Sequence, residues 1–125
     1  MQYEIPEEWL IFCEFGQVDA GYRFYSYGQC WPNAQAIPLA EIEPPIRAES
    51  VEPFKKYKMV PVLMAMMDPN GALPPIVVVE IGTPSKYKYK VVNGFHRFYA
   101  SVQRGYPQIP VVIDDGRILL LKPRA

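Results

Sequence analysis

The stretch Val91-Val-Asn-Gly-Phe-His-Arg-Phe-Tyr-Ala100 concentrates the residues with the most evident chemistry. It reads as a strand, a glycine turn at Asn93-Gly94 and the first turn of a helix. Such a first turn carries unpaired backbone N–H groups and the positive end of the helix dipole. Gly94 would let a ligand approach the backbone. His96 adds a donor whose charge is switchable, and Arg97 adds a bidentate cation. Together, Asn93, Gly94, His96 and Arg97 would suit a phosphate or another oxyanion. The alternative reading has His96 bonded to a neighbouring backbone carbonyl and Arg97 paired with a surface carboxylate. Lys58 is either a further ligand contact or a solvated lysine at a helix end.

The elements that must position these residues are short. Residues 8–15 are rich in β-formers and predict a strand. A turn over Gly16 to Gly21 and a returning strand over Tyr22 to Tyr27 would complete an N-terminal β-hairpin. Ile37-Pro-Leu-Ala-Glu-Ile42 reads as a strand running into a turn, and Pro44 and Pro45 force the chain after it to be extended. Ser50 is a candidate N-cap for a short helix ending near Lys55, Lys56 and Lys58. A second helical stretch would start near Pro61, with Met64, Met66 and Met67 filling the core. Pro75 to Ile81 is a β-branched run expected to be buried on both faces. Lys86 to Val92 alternates Lys and Tyr, giving one wet and one packed face; its lysines read as a solvated edge or, less simply, as a nucleic-acid stripe. Phe95, Phe98, Tyr99 and Val102 recur at helical spacing, with Gly105 as the residue that ends the helix. A strand over Pro110 to Ile113 and a hairpin through Asp115-Gly116 close the chain.

Composition narrows the function. Half of the 125 residues are apolar and about a fifth are charged, which argues against disorder. No apolar run reaches the ~18 residues of a membrane span. The start lacks the basic region of a signal peptide, so the expected location is cytoplasmic. Thirteen Lys/Arg balance thirteen Asp/Glu, and a neutral chain is a poor non-specific binder of nucleic acid. A single His, with Cys13 and Cys30 outside any zinc-like spacing, makes a metal site unexpected. The two cysteines read as buried thiols, the alternative being a disulfide. Fourteen prolines exclude long helical bundles and predict short elements with stiff connections.

In order along the chain, Ile37-Pro-Leu-Ala-Glu-Ile42, Pro75-Ile-Val-Val78, Tyr89 to Ala100 and Gly105-Tyr-Pro-Gln-Ile-Pro-Val111 resemble the superfamily that joins the N-terminal domain of ParB partition proteins to sulfiredoxin. The resemblance spans residues 37–113, about 60% of the chain. It implies an α+β fold, a small mixed sheet with short helices. Asp68-Pro69 and Pro74-Pro75-Ile76 are similar to a sulfiredoxin run. On that likeness Lys58, His96 and Arg97 fall where sulfiredoxins contact nucleotide phosphates. The catalytic cysteine of that family falls on Phe95, and a phenyl ring is no nucleophile. Two hydroxyl residues that help hold ATP there fall on Pro61 and Ala65. The ParB branch uses a Gly-x-x-Arg stretch to bind CTP, which Gly94-Phe-His-Arg97 satisfies, and Arg47 is a candidate for its arginine after the first strand. A third branch, of free-serine kinases, needs a carboxylate base, for which Glu41, Glu43 and Glu49 are candidates.

The expectation is therefore one domain. Residues 1–36 would be a hairpin extension, 37–113 a ParB/sulfiredoxin-like core and 114–125 a final hairpin strand. Because the chain stops about twelve residues after the last matching strand, it is expected to stand alone, without the ParB helix-turn-helix. The expected ligand is ATP, ADP or CTP with Mg²⁺, or another phosphate, with nucleotide hydrolysis or phosphotransfer as the reaction if one occurs. The competing expectation is a non-catalytic adaptor that binds protein or nucleic acid through the tyrosine-rich hairpin and the lysine edge.

Overall fold

The computed structural model describes residues 3–15, 33–68, 74–82 and 85–114. The first element is a helix, α1 (Glu7–Phe12), where a strand was expected. The signals were local. Pro6 stands just ahead of the first turn, where its missing N–H costs no helical bond, and its carbonyl accepts from the backbone N–H groups of Trp9 and Leu10. Glu7 and Glu8 place negative charge at the positive end of the dipole. β-Forming side chains express a preference for a half-buried pleated surface, and without a sheet partner they do not prevent a helix. Ile5, Phe15, Trp9, Leu10 and Cys13 pack on the core, while Ile11 and Phe12 face out. The expected turn and return strand, the Asp115-Gly116 hairpin and the pairing of Cys13 with Cys30 lie outside the described residues.

A mixed five-stranded sheet follows, in the order β1-β5-β3-β4-β2. Its strands are β1 (Gln35–Pro38), β2 (Ile42–Glu43), β3 (Ile76–Glu80), β4 (Tyr89–Asn93) and β5 (Gln108–Ile113). A single 3₁₀ turn, Leu39–Glu41, separates β1 from β2. β1 pairs antiparallel with β5 and β3 antiparallel with β4, whereas β3–β5 and β4–β2 are parallel. β3 is fully buried on one face through Ile76 and Val78 and only half-buried on the other, less than its β-branched run implies. β4 begins only at Tyr89, so most of the Lys/Tyr alternation expected in a strand precedes it, and it is not an edge: two residues of β2 pair with it.

α2 (Lys56–Met67) is one continuous helix in place of the two short ones expected. It begins just after Lys55, so Lys58 lies in its first turn and not at a C-terminal helix end. Pro61 sits inside it; the proline removes the donor that the Tyr57 carbonyl would otherwise receive, on a face open to solvent. The buried side is Met59, Leu63 and Met66, spaced by four and three residues; Met64, expected inside, is exposed. α3 (Phe95–Arg104) has the expected boundaries and ends at Gly105, whose φ of 86° is left-handed. α2 and α3 pack on each other and α3 packs on β3. No helix among the described residues is long and apolar enough to cross a membrane.

Candidate functional site

A cleft of about 510 Å³ opens where the first turns of α2 and α3 converge. Arg47, Lys58, Asn93, Gly94, His96 and Arg97 all line it, and so do the apolar Ile46, Val62, Val91 and Val92. Six residues proposed from three separated stretches thus meet at one place. The candidate bases do not join them. Glu41 lies 3.8 Å from the Lys88 ammonium, Glu43 is paired in β2 with Lys90, and Glu49 is exposed on the loop that follows. None of the three lines the cleft.

Each residue of the α3 wall has a structural duty. Gly94 takes φ 118°, and a Cβ there would meet Cγ2 of Ile76 at 2.5 Å. Glycine is therefore required by the close approach of β3 and by the backbone conformation, whether or not a ligand approaches it. His96 is 8% exposed, and its Nε2 accepts the backbone N–H of Lys55 at 3.0 Å. An accepting Nε2 puts the proton of the neutral ring on Nδ1. Burial, then the positive charges of Arg47 and Lys58, push the His96 pKa down to about 4. His96 is thus a neutral pin between the starts of two helices, not a switch near neutrality. Arg97 donates from Nη1 to the carbonyls of Pro74 at 2.8 Å and Pro75 at 2.9 Å, fastening the chain that enters β3. In place of the carbonyl anticipated for His96 stands an amide N–H, and Arg97 holds two carbonyls.

The opposite wall carries looser cations. Lys58 is exposed on the first turn of α2. The Arg47 guanidinium lies 4.0 Å from the centre of the Phe95 ring, a cation–π contact. Its Nε donates to the Pro53 carbonyl at 3.4 Å. Phe95, at the position matched to the sulfiredoxin cysteine, belongs to an aromatic cluster with Tyr3, Phe54, His96 and Tyr99. In the sequence Tyr99 stands out only by its helical spacing, yet its hydroxyl donates to the Pro45 carbonyl at 2.7 Å and fixes the loop that carries Arg47. Burial, then nearby Tyr3, raises its pKa to about 12, so it stays a donor. Tyr3 carried no local signal, since it acts 44 residues away from its partner.

The fold and this cleft define an α+β domain of the ParB/sulfiredoxin type. The profile of the ParB N-terminal domain matches residues 31–117, and the chain belongs to that family. Among solved structures, the chain is similar to sulfiredoxin from Arabidopsis thaliana, with 25% identity over 70% of this chain and 92% of that one, at a TM-score of 0.50. It is also similar to the C-terminally truncated chromosome-partitioning protein ParB from Caulobacter crescentus, solved with CTP-γ-S. There the identity is 19% over 70% of this chain, at a TM-score of 0.48. The match spans about half (49%) of that ParB chain. No curated protein sequence matches this one.

Proposed function

We propose that the cleft binds the phosphate group of a nucleotide or a similar phosphate ligand. The observation that carries this reading is the charge of the lining: among the described residues, Arg47, Lys58 and Arg97 contribute to it and no carboxylate does, in a chain whose total charge is zero. Two helix starts add their dipole ends on the same side. The apolar strip of Ile46, Val62, Val91 and Val92 suits a base or sugar beside the phosphate, and the volume is that of a small-ligand site. ATP, ADP and CTP are the candidates. A Mg²⁺ would travel on the nucleotide's own phosphate oxygens, because no carboxylate among the described residues lines the cleft. Binding is proposed without a chemical step, since Glu41 and Glu43 stand away from the lining. Calorimetric titration with the three nucleotides, with and without Mg²⁺, tests it. Binding weakened by Arg47→Ala and Lys58→Ala is expected; absence of binding by the unmodified protein overturns the reading.

A protein-binding role rests on a different observation. Ile11 and Phe12 on α1, and Tyr57 and Met64 on α2, are each more than half exposed, an unusual amount of large apolar side chain. Loss of self-association or partner capture on substituting Phe12 and Met64 with Ser would support it.

A further inference from the structure

We propose that Tyr3 is a positioning residue of the cleft: the N-terminal segment straps down the loop that carries Arg47 and holds its guanidinium over Phe95. This rests on the phosphate-binding reading above and adds to it a residue outside the stretch that matches the family, which begins at residue 31.

The loop between β2 and α2 has little backbone structure of its own. Pro44 and Pro45 offer no N–H, and residues 44–48 are in neither helix nor strand. Two tyrosine hydroxyls supply what the backbone lacks. Tyr99 donates to the Pro45 carbonyl at 2.7 Å. Two residues on, the Arg47 N–H donates to the Tyr3 hydroxyl at 2.8 Å, and that hydroxyl donates in turn to the Arg47 carbonyl at 3.3 Å. One side chain thereby engages both backbone groups of Arg47. The Tyr3 ring is itself seated, with ring centres 5.5 Å from Tyr99, 5.8 Å from Phe95 and 6.2 Å from Phe54. Phe95 therefore neighbours both the strap and the cation that the strap holds. With one guanidinium face on Phe95 and Nε on Pro53, the two Nη groups of Arg47 make no hydrogen bond among the described residues. They are the part of the group suited to bidentate contact with an oxyanion.

Tyr3→Phe removes the hydroxyl and keeps the ring. The first measurement needs no ligand: hydrogen exchange of the Arg47 amide is expected to be slow in the unmodified protein and at least about tenfold faster in Tyr3→Phe. An unchanged rate overturns the strap, whatever the cleft binds. The second measurement is titration with inorganic pyrophosphate. Tyr3→Phe should weaken binding about two- to tenfold, the size of one hydrogen bond's net contribution. It should cost nothing further in an Arg47→Ala background. An equal loss in that background means that Tyr3 acts on general stability, and overturns the positioning role. If the unmodified protein binds neither pyrophosphate nor any nucleotide, the phosphate reading falls and the strap's service to a ligand falls with it. The exchange rate still decides whether Tyr3 holds the loop.

Discussion

The two walls of the cleft differ in what their polar atoms already do. On the α3 wall, Gly94 makes room for Ile76, His96 receives the Lys55 amide, and Arg97 holds the carbonyls of Pro74 and Pro75. On the opposite wall, Lys58 is exposed and Arg47 is anchored by its face and Nε. The segment that looks most like a site in the sequence is thus the rigid frame. The charges best able to answer a ligand come from less conspicuous places. Substitutions on the first wall should therefore act on stability, and those on the second on affinity.

The sharpest test is Gly94→Ala. It forces a left-handed φ on a residue with a Cβ and drives that Cβ into Ile76 at 2.5 Å. Backbone strain and overpacking together should cost about 2–5 kcal/mol in urea unfolding. A cost below about 1 kcal/mol would show that β3 is not fixed against this turn. Next is Arg97→Ala, which strips two carbonyls of their donor. Stability should fall by about 1–3 kcal/mol, given that hydrogen bonds from charged groups exceed neutral ones. Any loss of ligand binding by this variant has to be read against that fall. Lys58→Ala reverses the pattern. It should leave stability within about 0.5 kcal/mol and weaken phosphate binding about two- to fivefold at low salt, with the difference shrinking as salt rises. An Arg97→Ala variant of unchanged stability, or a Lys58→Ala variant of unchanged affinity, would erase the distinction between the walls.

How much of this was legible in the sequence follows the same division. α3 could be read because its apolar spacing, its leading Asn93-Gly94 and its closing Gly105 agree with one another. β3 and β4 could be read from β-branching and alternation. The convergence of Arg47, Lys58 and the Gly94–Arg97 segment followed from a resemblance in spacing, not from local pattern. What failed was local preference against context. Residues 8–15 favour a strand by composition, yet Pro6, Glu7 and Glu8 mark a helix start. Pro61 was read as a beginning because proline normally stops helices; buried Met59 and Leu63 on either side hold the helix through it. The duties of the site residues were not legible at all. Each depends on a partner far along the chain: Ile76 for Gly94, Lys55 for His96, Tyr3 for Arg47.

The gentlest test concerns His96, the one histidine in the chain. Its folded pKa lies near 4, below the unperturbed 6.5, with burial as the chief cause and Arg47 and Lys58 contributing. Between those values the unfolded chain binds the proton and the folded one does not. Stability therefore declines as pH falls below 6.5, and it is insensitive to this group above that. From pH 7 to pH 6 the loss should be under about 1 kcal/mol, and it should grow toward pH 4, where carboxylates begin to add their own effects. His96→Gln retains an oxygen to accept the Lys55 N–H and should flatten the slope between pH 6.5 and 5. The ring resonances should titrate with a midpoint near 4, with the proton of the neutral form on Nδ1. A midpoint near the ordinary 6.5 would mean that the ring is solvated and that the Lys55 contact does not pin it. The frame of the cleft would then be as adjustable as its cationic wall. Raising pH from 6 to 8 should leave the His96 contribution to pyrophosphate affinity unchanged, because the ring is already neutral across that window.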